Sequence, residues 1–145
     1  KIVTDRAISQ EIVRHRLASY SQESTRYCNY ANGKFSREIT VIEPSGLAEN
    51  EAREWLDAME YLERTYLYLI DGGVKPEKAR DVLPLCLKTE LMMTANFREW
   101  RHFLKLRGSR MAHPGIRKIA KQIYEVFKQA IPVLVEDIEL ADADE

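Results

Sequence analysis

Residues 87–107 read Leu-Lys-Thr-Glu-Leu-Met-Met-Thr-Ala-Asn-Phe-Arg-Glu-Trp-Arg-His-Phe-Leu-Lys-Leu-Arg. Leu87, Thr89, Leu91 and Met93 fall on alternate positions, the period of a strand with one covered face. An apolar run this short is also compatible with a helix, and the alternation favours the strand. The period then changes. Phe97, Trp100, Phe103 and Leu104 recur at steps of three or four, so a helix follows, capped by Thr94 or Asn96 and ended by Gly108-Ser109. On that helix Trp100, Phe103, Leu104 and Arg107 share one face. Arg98 and His102, four apart, lie on another.

The same reading extends in both directions. Lys1 to Asp5 resembles the end of a strand. Asp5 is a plausible cap for a short helix with Ile8, Ile12 and Val13 as its stripe, carrying Glu11, Arg14 and His15 near its C-terminal end. Residues 16–30 read as loop and extended chain, Asn32-Gly33 as a turn, and Ile39 to Ile42 as a strand. From about Asn50 to Asp71, Trp55, Met59, Leu62, Tyr66 and Leu69 form one helical stripe, and Gly72-Gly73 ends it. Pro76 opens a short helix through Ala79 and Val82 that stops at Leu83-Pro84, and Pro114 opens a last helix with Ile116, Ile119, Ala120, Ile123 and Phe127 inward. Ala141 to Glu145 is an acidic tail expected to fray. These elements predict a single α+β domain over residues 1–145, a mixed sheet packed with helices.

Composition narrows the function. The chain has 145 residues, 45% hydrophobic and 31% charged, which suits one soluble core. A net charge of -1 provides no global attraction to nucleic acid or anionic membrane, so anion binding must come from local clusters. Cys28 and Cys86 lie far apart and are expected to be reduced thiols in a cytoplasmic protein. No apolar run approaches the roughly 20 residues of a membrane helix, and no signal peptide is visible.

Three constellations carry chemistry. Arg14-His15-Arg16 is followed after seven residues by Ser24, then Arg26 and Tyr27. Arginine forks match phosphate in a bidentate way, and closely spaced arginines repel unless an anion sits among them. The plain alternative is a solvated surface with Glu11 paired to Arg14 or His15 at helical spacing. Ser24 with His15 suggests a nucleophile and base, but no orienting third group stands at a recognisable spacing, so Ser24 reads as a hydrogen-bonding residue. The second constellation is Asn96 to Arg107, which is either a core helix with a C-terminal cation or a ligand-facing helix. The third is Arg80, which alone reads as solvated. His15, His102 and His113 show no metal-ligand spacing, and there is no glycine-rich phosphate loop.

Taken together these blocks resemble the flavin-dependent thymidylate synthases. Arg14-His15-Arg16, seven residues, then Ser24 is similar to the family signature, with Leu17-Ala18-Ser19-Tyr20 and Arg26-Tyr27 around it. Ala79-Arg80-Asp81-Val82-Leu83-Pro84 resembles a middle block. Asn96-Phe97-Arg98, Phe103-Leu104-Lys105-Leu106-Arg107 and Ile116-Arg117 resemble a closing block. The resemblance implies reductive methylation of dUMP to dTMP, with methylenetetrahydrofolate as carbon donor and NADPH-reduced FAD as hydride carrier. It implies FAD contacts from Arg14, His15, Arg16, Gln22, Asn96, Arg98 and His102. It implies dUMP contacts from Glu11, Arg14, Gln22, Glu23, Ser24, Arg26, Arg80 and Arg107. Arg107 would be the catalytic residue, favouring loss of the uracil N3 proton, and no metal is implied. Sites formed between subunits of a homotetramer are also implied, as is a substantial segment before Lys1. The chain departs from the pattern at Glu11, where family members often have Gln, at His102, where some have Asn, and at His113 and Gly115. Two other readings stay open: a nucleic-acid phosphate-binding module and an inactive fragment of the enzyme.

Overall fold

The computed structural model describes residues 1–32 and 36–141. The turn expected at Asn32-Gly33 and the tail after Ala141 therefore lie outside the described residues. Three strands, β1 (Ile2–Asp5), β2 (Ala18–Gln22) and β3 (Lys88–Ala95), form a sheet in the order β1-β3-β2. The α+β class is as expected, and the sheet is antiparallel where a mixed one was anticipated. The register shows why. Arg6 donates to the Leu87 carbonyl and Ala7 to that of Leu85, while Glu23 donates to that of Glu90. As the chain advances past β1 from Arg6 to Ala7, its partner recedes from Leu87 to Leu85. Both outer strands run against β3 and along each other without pairing. The alternation on β3 is realised: Leu87, Thr89 and Leu91 are at most 1% exposed.

The chain divides into two compact units. The first comprises Lys1–Ile2, Gln10–Ser21 and the chain from Met92 onward. Here α4 (Phe97–Arg107) packs against α5 (Pro114–Ala130). Asn96 starts α4 because its side-chain oxygen accepts the Glu99 amide at 2.9 Å. Phe103, Leu104, Ile116 and Ala120 are fully buried. Trp100 meets Phe103 and Phe127 edge-on at 5.8 Å, the aromatic geometry that adds stability beyond area. Phe97, expected inside, is 55% exposed although it lies on the stripe of Trp100 and Leu104: it is the first residue of the helix, and the buried contacts begin one turn later. α5 starts at Pro114, with His113 Nδ1 accepting the Gly115 amide at 3.1 Å. That gives the unusual His113 a capping job.

The sequence reading missed the segment after α5. Leu134, Val135 and Ile138 are buried, and Arg101 of α4 grips the Asp137 carboxylate through both terminal nitrogens at 2.7 and 2.6 Å and also donates to the Leu134 carbonyl. This grip holds the Asp137 carboxyl well below the usual carboxylate range.

The second unit comprises Val3–Ser9 and Gln22–Leu91. Asp5 caps α1 (Arg6–Ile12) by accepting the Ile8 amide at 2.7 Å, so the chain passes from strand to helix with no loop. α1 is shorter than expected: Val13, Arg14 and His15 lie past its end, and Val13 is exposed. α2 (Glu49–Asp71) buries Tyr66 completely, within a cluster formed with Tyr30, Ala79 and Leu87. The Tyr30 amide donates to the Tyr66 hydroxyl at 3.3 Å. α3 (Pro76–Ala79) continues as a single 3-10 turn, Arg80–Val82. Ile39 to Ile42 is not a full strand. Val41 makes one antiparallel bridge to Leu87, and the segment borrows two backbone bonds from the Cys86 and Lys88 peptides before Glu43-Pro44 carries it off. No disulfide joins Cys28 and Cys86.

Gly108 closes α4 under tight constraint. A Cβ built there falls 2.7 Å from the Leu104 carbonyl oxygen and 2.3 Å from the Leu140 side chain, while the Gly108 carbonyl accepts the Ala141 amide at 2.8 Å. Gly108→Ala is expected to cost about 1–3 kcal/mol of stability through this overpacking, read as a lowered urea midpoint with unchanged slope.

Candidate active site in the first unit

The end of α1, the residues after it and the two ends of α4 build one connected polar group. α1 stops at Ile12, and the chain turns back through 3.3 and 3.1 Å bonds from the Arg14 and His15 amides to the Glu11 and Ile12 carbonyls. The Tyr20 hydroxyl lies 2.9 Å from the Ile12 carbonyl and 2.7 Å from that of His15, sharing its proton between them and pinning the turn to β2. This geometry sends the middle residue of Arg14-His15-Arg16 inward and leaves both arginines exposed.

His15 is 3% exposed and its ring is fully engaged. Nδ1 lies 2.8 Å from the Glu99 carboxylate and Nε2 lies 3.1 Å from Arg107 Nε. Arginine only donates, so Nε2 must accept. The ring proton therefore sits on Nδ1 and is donated to Glu99, and His15 is the neutral tautomer joining a carboxylate to a guanidinium. Burial holds His15 below its ordinary pKa. The Glu99 hydrogen bond opposes this shift, and the charge of Arg107 reinforces it. His102 and Phe103 flank the ring at centroid distances of 5.3 and 4.9 Å.

Arg107 has a second anchor. Its terminal nitrogens donate to the Glu11 carboxylate at 2.7 Å and to the Glu11 backbone carbonyl at 2.9 Å. Glu11 therefore pairs with Arg107, not with its helical neighbours Arg14 and His15. Of the five N–H groups of a guanidinium, three are spoken for and two remain for a ligand. The side chain is 15% exposed, a cation held rigid at a surface.

Within this unit the structure thus brings Glu11, His15 and Arg107 together. Asn96, Arg98 and His102 stand exposed on α4. Both ring nitrogens of His15, expected to touch flavin, have partners within the protein. Glu99 was the missed residue. Its position three after a capping Asn reads as an ordinary helix start, and only its 5% exposure reveals a carboxylate turned inward to a histidine. His15, Glu99 and His102 each offer a ligand atom within 4.8 Å of the others, a spacing that could hold a metal ion. Both His15 nitrogens are already committed, so an ion there has to displace the Nδ1 proton or the Arg107 contact.

The remaining expected residues belong to the second unit. The Gln22 amide donates to Ser9 Oγ at 2.9 Å and Thr89 Oγ1 at 3.2 Å, leaving only its carbonyl for a ligand. Ser24 accepts the Arg26 amide at 3.3 Å, and its carbonyl takes the Tyr27 and Cys28 amides, so it shapes a turn. The Arg26 guanidinium lies 5.4 Å above the Tyr27 ring and 3.6 Å from Glu77. Both partners of that ion pair are exposed, so it competes weakly with a bound anion. Arg80 is exposed in the 3-10 turn, and Glu23 is half-buried just after β2.

Two outcomes test the buried dyad. Glu99→Ala strands the His15 N–H and is expected to cost about 1–3 kcal/mol in urea unfolding. The His15 pKa is depressed in the folded state, so its contribution is present above the unfolded value of 6.5 and is lost as pH falls through the lower folded value. Unfolding free energy should therefore decline below about pH 6.5, and His15→Gln should flatten that decline.

Comparison with known proteins shows the family of the chain. The family described as thymidylate synthase complementing protein matches residues 1–133. The chain is 37% identical over 134 residues to the flavin-dependent thymidylate synthase of Geobacter sulfurreducens, covering 91% of this chain and 56% of that protein. It is 39% identical over 126 residues to that of Thermococcus kodakarensis, covering 85% and 51%. It is 32% identical over 160 aligned positions to that of Corynebacterium aurimucosum, covering 97% and 62%. The chain thus spans a little over half the length of these relatives. On the match across residues 1–133, and at identities of this level, the chain belongs to the flavin-dependent thymidylate synthase family.

Proposed function

We propose that this chain forms most of the catalytic part of an enzyme that reductively methylates dUMP to dTMP, using methylenetetrahydrofolate as carbon donor and NADPH as reductant. The observation that carries the proposal is Arg107, fixed by a buried neutral histidine and by Glu11 with two N–H groups to spare. A rigid guanidinium is suited to stabilise charge that develops on a ring beside it. In this reading Arg107 lies against the uracil and holds the negative charge left when the N3 proton departs, which makes the ring carbon a better nucleophile. No enzyme nucleophile is required, and Ser24 serves as a hydrogen-bonding contact.

The donor set suits a phosphate-bearing flavin. Among the described residues, no acidic side chain pairs with the exposed guanidinium of Arg14, Arg16 or Arg98. Arg14, Arg16, Asn96, Arg98 and His102 are the residues proposed to hold FAD, which when bound and reduced supplies the hydride. Arg14, Gln22, Glu23, Ser24, Arg26 and Arg80 are proposed to hold dUMP, with sites completed between subunits of a homotetramer in the cytoplasm. The weak Arg26–Glu77 pair leaves that arginine ready for phosphate.

The purified protein is expected to be yellow, to bind dUMP and to form dTMP when given the folate and NADPH. Arg107→Ala should keep the flavin absorbance and lose about 100-fold to 1,000-fold in turnover, the scale for removing one preorganised charge-stabilising group. A colourless protein that binds no FAD and makes no dTMP overturns the proposal.

A further inference from the structure

Three side chains of the first unit meet although nothing in their order along the chain brings them together. A ligand atom of each of His15, Glu99 and His102 lies within 4.8 Å of the other two. His15 Nδ1 is the nitrogen turned to the Glu99 carboxylate, at 2.8 Å. Ligand atoms on one tetrahedral ion stand roughly 3.3 Å apart, for bonds of about 2.0–2.1 Å. The His15–Glu99 pair is close to that spacing already. The exposed His102 ring, which makes no hydrogen bond among the described residues, has only to swing inward. Two imidazoles and a carboxylate leave a fourth position open, and this donor set favours Zn²⁺, Co²⁺ or Ni²⁺ over Mg²⁺ or Ca²⁺. The Arg107 guanidinium behind the His15 ring opposes a cation, and its pairing with Glu11 at 2.7 Å lowers that cost.

We propose that His15, Glu99 and His102 form a site for a divalent transition-metal ion, and that filling it detaches Arg107 from His15. The ion takes the lone pair of Nδ1 in place of the proton now donated to Glu99. A neutral imidazole keeps one ring proton, so as Nδ1 gives its proton to solvent, Nε2 takes one up. Nε2 then donates and can no longer accept from Arg107 Nε, and the contact at 3.1 Å is lost. Arg107 keeps its two bonds to Glu11. The site stands on these side chains alone and does not require the assigned reaction; only His102 is shared with the proposed flavin contacts.

The test is titration of the untagged purified protein with Co²⁺, whose four-coordinate complexes absorb in the red, beyond oxidised flavin. The band is expected to appear, to be abolished by Zn²⁺ and to be unaffected by Mg²⁺. His102→Ala should weaken Co²⁺ binding by at least about tenfold, the scale for losing even an outer partner of a metal site. His113→Asn, which keeps a capping oxygen at the start of α5, should bind Co²⁺ as the unaltered protein does. Absence of the band, whether or not flavin is bound, overturns the proposal, as does equal affinity in His102→Ala. With Zn²⁺, which is diamagnetic, the Arg107 Nε–H resonance should shift in the unaltered protein and stay in place in His102→Ala at the same concentration. Metal binding without that shift overturns the link to Arg107. None of these readouts depends on dTMP being formed.

Discussion

The polar group around Arg107 in the first unit depends on the hydrogen bond between His15 and Glu99. It is 2.8 Å long, its two residues are 3% and 5% exposed, and they are 84 positions apart in the sequence. A buried carboxylate is costly unless a donor meets it, and a buried imidazole must place its one proton somewhere. Each partner solves the other's problem. Once the proton is committed to Glu99, the second ring nitrogen can only accept, and Arg107 is the donor that fills it. The orientation of an arginine at the rim is thus decided by a proton inside.

The order of dependence runs outward from there. Asn96 starts α4, which places Glu99 on the inner side of the first turn and Arg107 on the last. Phe103 and Leu104 are buried on the face between them, and Phe103 packs against the His15 ring, so the helix cannot turn without losing its apolar contacts. Tyr20 fixes the turn that carries His15. Arg14 and Arg16 are left outside by this same turn, since neighbours of an inward residue on a tight bend point the other way. A single backbone reversal therefore separates one buried histidine from two exposed arginines.

Some of this was legible in the sequence because it is local. Asp5 and Asn96 cap the helices that follow them, the alternation from Leu87 marks β3, and α2 ends at Gly72, each governed by residues within a few positions. Other features were not legible. The Ile39 to Ile42 segment has strand composition, yet its neighbours give it only one bridge at Leu87. The chain after α5 has apolar residues but no regular period, and it is Arg101, by holding Asp137, that fixes it with Leu134, Val135 and Ile138 inward. Propensity describes what a segment prefers, and whether a partner is there to complete it is a long-range matter.

The same division applies to function. The spacing of Arg14, His15, Arg16 and Ser24, with Arg80 and the Asn96 to Arg107 block, was enough to place the chain in its family, because such patterns are properties of order along the chain. Which of those residues are exposed and which are tied to one another was decided only by tertiary structure. Glu99 carried no signal of its own, His15 turned out to be spent on internal bonds, and Glu11 found its partner 96 positions away at Arg107. The physical reason is that a side chain's role follows from burial and from who meets its last proton, and both are settled when the chain closes on itself.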